Sequence, residues 1–294
     1  MSNFLKKLNI TAKKTNSYLK NFLLNQKKNS HLLYPMKYGI FSGGKRFRSA
    51  IVVNSGKIYN IDYKKLIIVG SAIECIHSYS LMHDDLPSMD NDALRRGKPS
   101  VHKKFNEFTA ILAGNSLLTL AFEILSGNDL KLTQSCKNQL IKSLSICAGH
   151  SGLADGQYSD LTYENKKISK EKIIKMQKKK TGELFGFCCE SIAIIKGLDS
   201  TKRKILKDIG TDIGLLFQIV DDLLDYKGSS KIIGKPTRSD KKKGKSTLIN
   251  LLGYKDTVNF AKNLKNKIDK KIKKQGNRAN DLLDSVNFIL ERKF

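Results

Sequence analysis

The stretch Glu74-Cys75-Ile76-His77-Ser78-Tyr79-Ser80-Leu81-Met82-His83-Asp84-Asp85-Leu86-Pro87-Ser88-Met89-Asp90 closes a run, Lys64 to Met82, in which apolar residues recur at spacings of three and four. That period predicts a helix. His77 and Asp84 are seven residues apart, about two turns, so they lie only roughly 20° apart around the axis. Pro87 breaks the helix, and Asp90 is expected to reach back from the turn that follows, so the aspartates span a helix end. The same spacing recurs over Phe105–Leu125, Leu140–Ala154, Lys170–Lys196, Lys202–Tyr226 and Ala261–Lys274, and few segments alternate with a period of two. The chain therefore reads as all-α, a bundle of about ten helices around a central space.

A second cluster, Asp221-Asp222-Leu223-Leu224-Asp225, lies within one of these runs. Asp221 and Asp225 are four apart and Asp222 and Asp225 three apart, so all three can border one helical face, which Gln218 shares. Carboxylates this close repel unless protonated or bridged by cations. Hard oxygen donors without clustered Cys or His select Mg²⁺, which commonly takes one or two carboxylates and completes its octahedron with water and substrate phosphate. The blander account of either cluster alone is a helix cap or a solvated acidic turn. Two of them, beside basic segments suited to phosphate, favour a multi-metal diphosphate site.

Those basic segments are placed consistently. Gly43-Gly44-Lys45-Arg46-Phe47-Arg48 opens a helical run, with Lys45 and Arg48 on one face near its positive end, as an anion cradle. Arg95-Arg96-Gly97-Lys98 follows the first aspartates and offers planar guanidinium forks to phosphate oxygens. Lys180-Thr181-Gly182 ends a lysine run and sets an ammonium beside a hydroxyl. Gly244-Lys245-Ser246 resembles the end of a P-loop, but Ser239 stands where the first glycine is required and no strand precedes it, which disfavours nucleotide hydrolysis. Two polar, basic breaks, Asn91–Lys104 and Lys227–Lys245, each follow an aspartate cluster directly, where binding loops and lids tend to lie.

Composition bounds the rest. The chain has 294 residues and a formal net charge of +27, but the excess is lysine, with eight arginines, scattered throughout rather than gathered with aromatics on one segment. A nucleic-acid partner is not expected from that pattern, and drift in an AT-rich genome explains it. No continuous apolar stretch approaches the ~20 residues needed to span a bilayer, and Phe4–Leu24 lacks the apolar core of a secretory signal. A cytoplasmic protein with no stable membrane insertion is expected. Five cysteines without CxxC spacing read as small buried hydrophobes in a reducing compartment.

The quoted strings, with Leu94-Arg95-Arg96-Gly97, Gly156-Gln157, Phe217-Gln218 through Asp225 and Gly244-Lys245-Ser246-Thr247, resemble the trans-isoprenyl diphosphate synthases, in order and spacing over almost the whole chain. The resemblance is closest to bacterial farnesyl diphosphate synthases. It implies one polyprenyl synthetase domain over residues 1–294, an isoprenoid synthase-type helical bundle around a deep central cavity, and a homodimer. The implied reaction condenses isopentenyl diphosphate with dimethylallyl or geranyl diphosphate to give (2E,6E)-farnesyl diphosphate.

Residue by residue, the resemblance implies that Asp84, Asp85 and Asp90, and Asp221, Asp222 and Asp225, hold Mg²⁺, about three ions per active site. Lys45, Arg48, His77 and Arg96 match the isopentenyl diphosphate site. Arg95, Lys180, Thr181, Gln218 and Lys235 match contacts to the allylic diphosphate. Asp84, Asp85, Asp90, Arg95, Lys180, Asp221 and Asp222 carry the ionisation. Tyr79, five residues before Asp84, matches the residue that floors the product tunnel; otherwise it is simply a core aromatic. Ala93 stands where a further acidic residue is common, and Asp155 replaces a usual glycine. Within the family the alternatives are geranyl or geranylgeranyl diphosphate synthases. Outside it, the alternatives are a terpene cyclase, a non-catalytic synthase subunit and a basic helical nucleic-acid-binding protein.

Overall fold

The computed structural model describes residues 3–25, 30–228 and 244–292. In chain order they form α1 (Asn3–Leu24), α2 (Leu33–Phe41), α3 (Phe47–Ile58), α4 (Tyr63–Asp84), the two-residue strands β1 (Leu94–Arg95) and β2 (Lys98–Pro99), α5 (Val101–Lys104) and α6 (Glu107–Ser126). There follow α7 (Gln134–Ala148), α8 (Leu153–Thr162), α9 (Lys170–Gln177), a π-helical turn (Lys178–Gly182), α10 (Glu183–Lys196), α11 (Ser200–Lys227), α12 (Leu248–Leu252), α13 (Tyr254–Lys273) and α14 (Asn280–Glu291). The all-α expectation holds, and three of its details change.

The run Leu140–Ala154 is two helices, because Gly149 and Gly152 sit within it and a turn closes from the Gly152 N–H to the Gly149 carbonyl at 3.0 Å. Lys170–Lys196 is also divided, by the π-turn. The break Asn91–Lys104 is not irregular throughout: Leu94 pairs with Pro99 and Arg95 with Lys98 in a hairpin whose turn residues are Arg96 and Gly97. Both turn residues have positive φ, 54° and 75°, as a two-residue turn of the type matched to strand twist requires.

The chain clusters into two compact units, residues 1–53 with 61–141 and residues 54–60 with 142–294. In the first, α4 packs on α6 and α1 on α4. Asp62 starts α4 by accepting from the Lys65 N–H at 3.1 Å, and Asn106 starts α6 by accepting from the Thr109 N–H at 2.9 Å. Leu66, Ile68, Ile73 and Ile76 of α4 and Ala113, Leu117, Ala121 and Ile124 of α6 are buried in its core. Both helices are long and apolar enough by length and composition to cross a membrane. Most of α4 is core, whereas α6 buries one face and leaves Phe108, Ile111 and Leu112 exposed.

In the second unit α10 packs along α11, and α11 also meets α13, α14 and the π-turn. Phe185, Phe187 and Ile192 of α10 and Ile213, Leu216, Ile219 and Leu223 of α11 are buried, and Phe185 meets Phe217 across the two helices with ring centroids 5.4 Å apart. Each fully buried side chain of this size contributes about 1.5–3 kcal/mol, so these faces fix where the polar residues between them stand. Cys75, Cys147, Cys188 and Cys189 are buried as small hydrophobes, and burial raises the Cys147 and Cys189 thiols to about 12.

Candidate active site

The first unit gathers cations on loops that the backbone strains to build. Gly43, Gly44 and Arg46 all have positive φ, 116°, 107° and 51°. Arg46 is the anchor of that loop: its guanidinium donates to Asn16 Oδ1 at 2.8 Å and to the Ile40 carbonyl, and lies 3.6 Å from Glu74 Oε2. Glu74 in turn accepts from the Ser49 N–H in the first turn of α3 at 3.2 Å. Sequence reasoning missed this role of Arg46, although a lone acid buried in apolar α4 was the signal that a buried cation must meet it. Because α3 starts at Phe47, Lys45 stands in the loop and shares no helical face with Arg48, which corrects the expected arrangement.

Arg96, at the tip of the hairpin, returns to this loop and donates to the Gly43 carbonyl. A side chain on Gly44 would put Cβ 2.7 Å from the Arg96 guanidinium carbon, so the glycine is needed for the approach as well as for its φ. Burial, and then the charges of Arg46, Arg95 and Arg48 against the counter-pull of Glu74, lower Arg96 to about 10. Burial first, then Arg48, Arg96, Arg46 and Arg95, hold His77 well below its usual pKa, which leaves the imidazole neutral. A group of cations that lowers Arg96 and keeps His77 neutral is suited to an anion of several charges.

The first aspartates lie where α4 ends. The Asp90 N–H donates to the Asp84 carbonyl at 2.8 Å, the Asn91 N–H to the Leu86 carbonyl at 3.0 Å and the Asp92 N–H to the Asp85 carbonyl at 3.2 Å. Asp90 thus folds back on the helix end as expected. Asp85, buried, accepts from Arg95 Nε at 2.9 Å and from its terminal nitrogen, which also reaches Asp92 Oδ2 at 3.2 Å. Burial alone would lower the Arg95 pKa; the Asp85 hydrogen bonds and the charges of Asp85, Asp92 and Asp84 turn the shift upward. Tyr79 is half-buried on α4, its ring 4.9 Å from that of His83 in an edge-on contact, and burial followed by the charge of Asp84 raises its pKa.

The second unit holds the other set. Asp222, buried on α11, accepts from Gln218 Nε2 at Oδ1 and from Gln177 Nε2 at Oδ2, each at 2.8 Å. Thr181 donates to Gln218 Oε1 at 2.9 Å, so the π-turn is tied to the same carboxylate. Asp225 is buried one turn on, and half-exposed Asp221 accepts from Arg292 at 2.6 Å. Gly156 of α8 lies against the backbone of Lys179 and Lys180, where any Cβ would overlap the Lys180 nitrogen. This contact brings Asp160, four residues along α8, to Lys180, with Nζ to Oδ2 at 2.6 Å.

Lys245, buried, reaches the same Asp160 oxygen at 2.8 Å and Glu164 at 2.8 Å. Burial would raise Asp160, but the two lysines leave its pKa lowered. Asp160, Lys245, Gln177 and Arg292 were not assigned from sequence; Gly244-Lys245-Ser246 carried a visible signal, while Asp160, Gln177 and Arg292 had none. Asp155, the departure from a usual glycine, has a local partner in Lys179 at 2.5 Å. Lys235 lies outside the described residues.

The donors that both motifs offer are carboxylate oxygens. Among the described residues no three acids, imidazoles or thiols are gathered into a ready-made cage. Mg²⁺ needs none, since one or two carboxylates per ion suffice when water and phosphate supply the rest. The donor set fits Mg²⁺.

A family model described as polyprenyl synthetase matches residues 29–286, most of the chain and residues of both units. The chain belongs to the polyprenyl synthetase family. It is 40% identical over 229 residues to the farnesyl diphosphate synthase of Geobacillus stearothermophilus, covering 76% of this chain and 77% of that one. An FPP/GFPP synthase of Zymomonas mobilis has the same fold, with a TM-score of 0.88 at 36% identity over 98% of this chain and 99% of that one. The geranyltransferase of Helicobacter pylori, solved with magnesium and isoprenyl diphosphate, matches with a TM-score of 0.82 at 31% identity, over 99% and 97% of the two chains. The all-α polyprenyl synthetase fold is thus shared over essentially the full length of these enzymes.

Proposed function

We propose that this polyprenyl synthetase is a short-chain prenyltransferase that condenses isopentenyl diphosphate with dimethylallyl and then geranyl diphosphate, giving (2E,6E)-farnesyl diphosphate. The observation that carries the reading is the likeness, about 40% identity over three quarters of the chain, to farnesyl diphosphate synthases. The crowded cations of the first unit support it. The reading makes the chain one polyprenyl synthetase domain.

In this assignment Lys45, Arg48 and Arg96 grip the isopentenyl diphosphate as cations and neutral His77 adds a hydrogen bond. Arg95, Lys180, Thr181, Gln218 and Lys235 contact the allylic diphosphate. Asp84, Asp85 and Asp90 and Asp221, Asp222 and Asp225 would hold the Mg²⁺ ions, about three per site. The ions, when bound, neutralise the leaving diphosphate as its bond to the allylic carbon breaks. Lys180 and Arg95 spread the same charge from the protein side. The double bond of isopentenyl diphosphate then attacks the allylic carbon, the new carbon–carbon bond forms, and a proton leaves the adjacent carbon; the departing diphosphate can accept it, so no side chain is assigned as the base. Apolar surroundings exclude the water that would quench the cation.

Phe108, Ile111 and Leu112 lie on one stripe of α6 and are 65%, 40% and 47% exposed, which supports a homodimer formed on that helix rather than membrane insertion. The same reading keeps the enzyme in the cytoplasm. Light scattering should give twice the monomer mass of 33.0 kDa.

Incubation with isopentenyl and dimethylallyl diphosphates and Mg²⁺, followed by chromatography of the dephosphorylated alcohols, should yield farnesol; no Mg²⁺-dependent prenyl product would overturn the reading. Tyr79→Ala should lengthen the product towards twenty carbons or more, and an unchanged product profile removes Tyr79 as the tunnel floor.

A further inference from the structure

Gln177 is the last residue of α9, immediately before the π-turn, and its side chain is 3% exposed. Its Nε2 donates to Asp222 Oδ2 at 2.8 Å. An ionised carboxylate only accepts hydrogen bonds, so both amides that meet Asp222, those of Gln177 and Gln218, must turn their NH₂ groups towards it. This leaves two amide oxygens. That of Gln218 accepts from Thr181 at 2.9 Å, whereas Oε1 of Gln177 is buried with no hydrogen-bond partner among the described residues. Leaving a buried carbonyl oxygen unsatisfied is costly, and the amide also grips a carboxylate assigned to metal binding. A donor is what the position lacks among the described residues.

We propose that Gln177 is a positioning residue of the metal site at the second aspartate motif: its amide nitrogen orients the Asp222 carboxylate, and its amide oxygen accepts a hydrogen bond from water carried by the ion. This inference rests on Asp222 being a Mg²⁺ ligand. Mg²⁺ keeps several of its waters in protein sites, so a donor of the right kind arrives with the ion. Gln177 and Gln218 then act as a pair. They hold both Asp222 oxygens without adding charge, and Gln218 links that carboxylate to Thr181 on the π-turn beside Lys180. Neither amide competes with the cation as an arginine would.

The test is Mn²⁺ binding followed by electron paramagnetic resonance in the presence of inorganic diphosphate, on the full chain, for wild type, Gln177→Met, Gln177→Asn and Asp222→Asn. Met keeps the volume without polar atoms, and Asn keeps the amide but is too short to reach Oδ2 from the same backbone. Both variants should weaken Mn²⁺ binding about 10- to 100-fold, the usual cost of removing a partner of a ligand. The KM for isopentenyl diphosphate should not move, since its assigned contacts are all in the first unit; a general loss of packing would shift it too. Wild-type Mn²⁺ affinity in either folded variant, with folding confirmed by circular dichroism, overturns the inference. Failure of wild type to bind Mn²⁺ with diphosphate, or an undiminished Asp222→Asn, overturns instead the assignment on which it rests.

Discussion

Among the described residues, Asp85 at the end of α4 and Asp222 on α11 meet different kinds of neighbour. In the first unit Asp85 is clasped by Arg95, itself one of four arginines whose charges all bear on His77. In the second, Asp222 is clasped by two neutral amides. A guanidinium is a competitor for any cation that approaches its carboxylate, and an amide is not. The first region is therefore arranged around an incoming anion that can draw Arg95 away. In the second, the two amides orient the carboxylate without competing with a cation for it.

The comparison is broken most directly through turnover. Asp84→Ala and Asp222→Ala should each lower kcat by about 10²–10³-fold, the usual loss when one group stabilising transition-state charge is removed. Excess Mg²⁺ should recover part of the loss at Asp222 if that residue acts through the ion. Preserved turnover in Asp84→Ala would remove the first motif from the reaction altogether.

Stability separates the two regions next. Asp85→Ala leaves Arg95, its side chain 12% exposed, still in contact with Asp92, and removing one member of a buried pair costs about 3–5 kcal/mol, with the partial exposure and the remaining contact placing this case near the lower figure. Among the described residues, Asp222→Ala leaves the Gln177 and Gln218 amides short of an acceptor, which costs about 1–3 kcal/mol. Urea unfolding at neutral pH measures both. Equal losses would show that the kind of neighbour makes no difference.

Much of this was legible from residue order alone, and the limits are physical. The helical period of α4 and Pro87 placed Asp84 and Asp85 at a helix end, and the backbone bond from Asp90 to Asp84 follows from that turn. Resemblance supplied roles for His77, Lys180 and Gln218. Arg46 was hidden because its neighbours in the chain, Lys45 and Arg48, look alike; only the positive φ at Arg46 turns it inward to Glu74. The π-turn was hidden because its apolar spacing continues that of α9 and α10. Asp160 depends on α8 meeting that turn through Gly156, and Gln177 on α9 meeting α11 at Asp222, contacts between segments that no periodicity encodes.

A smaller effect distinguishes the cation-rich region through pH. The folded site holds His77 well below its ordinary pKa, so below about pH 6.5 the unfolded chain binds a proton that the folded chain refuses. Stability should then fall as pH falls, by at most about 1.4 kcal/mol per pH unit from this group. His77→Gln should flatten that slope between pH 6.5 and 5.5 relative to wild type. An identical slope would mean that burial and the arginines together do not hold His77 neutral.

The smallest effect lies at the place where the comparison does not hold. Asp221, in the second region, has a cation on it: Arg292 donates to Oδ1 at 2.6 Å and stacks over the Phe217 ring, 4.2 Å from its centroid. Asp221 is 39% exposed, and pairs so open to water contribute about 0–1 kcal/mol, so Arg292→Gln should hardly change the unfolding midpoint. It should nevertheless lower the Mg²⁺ concentration needed for half-maximal activity, by about two- to fivefold, because the ion no longer displaces a guanidinium from one of its assigned ligands. If the Mg²⁺ requirement is unchanged or rises, Arg292 and the ion do not compete for Asp221. Asp221 would then be open to the ion despite the guanidinium beside it.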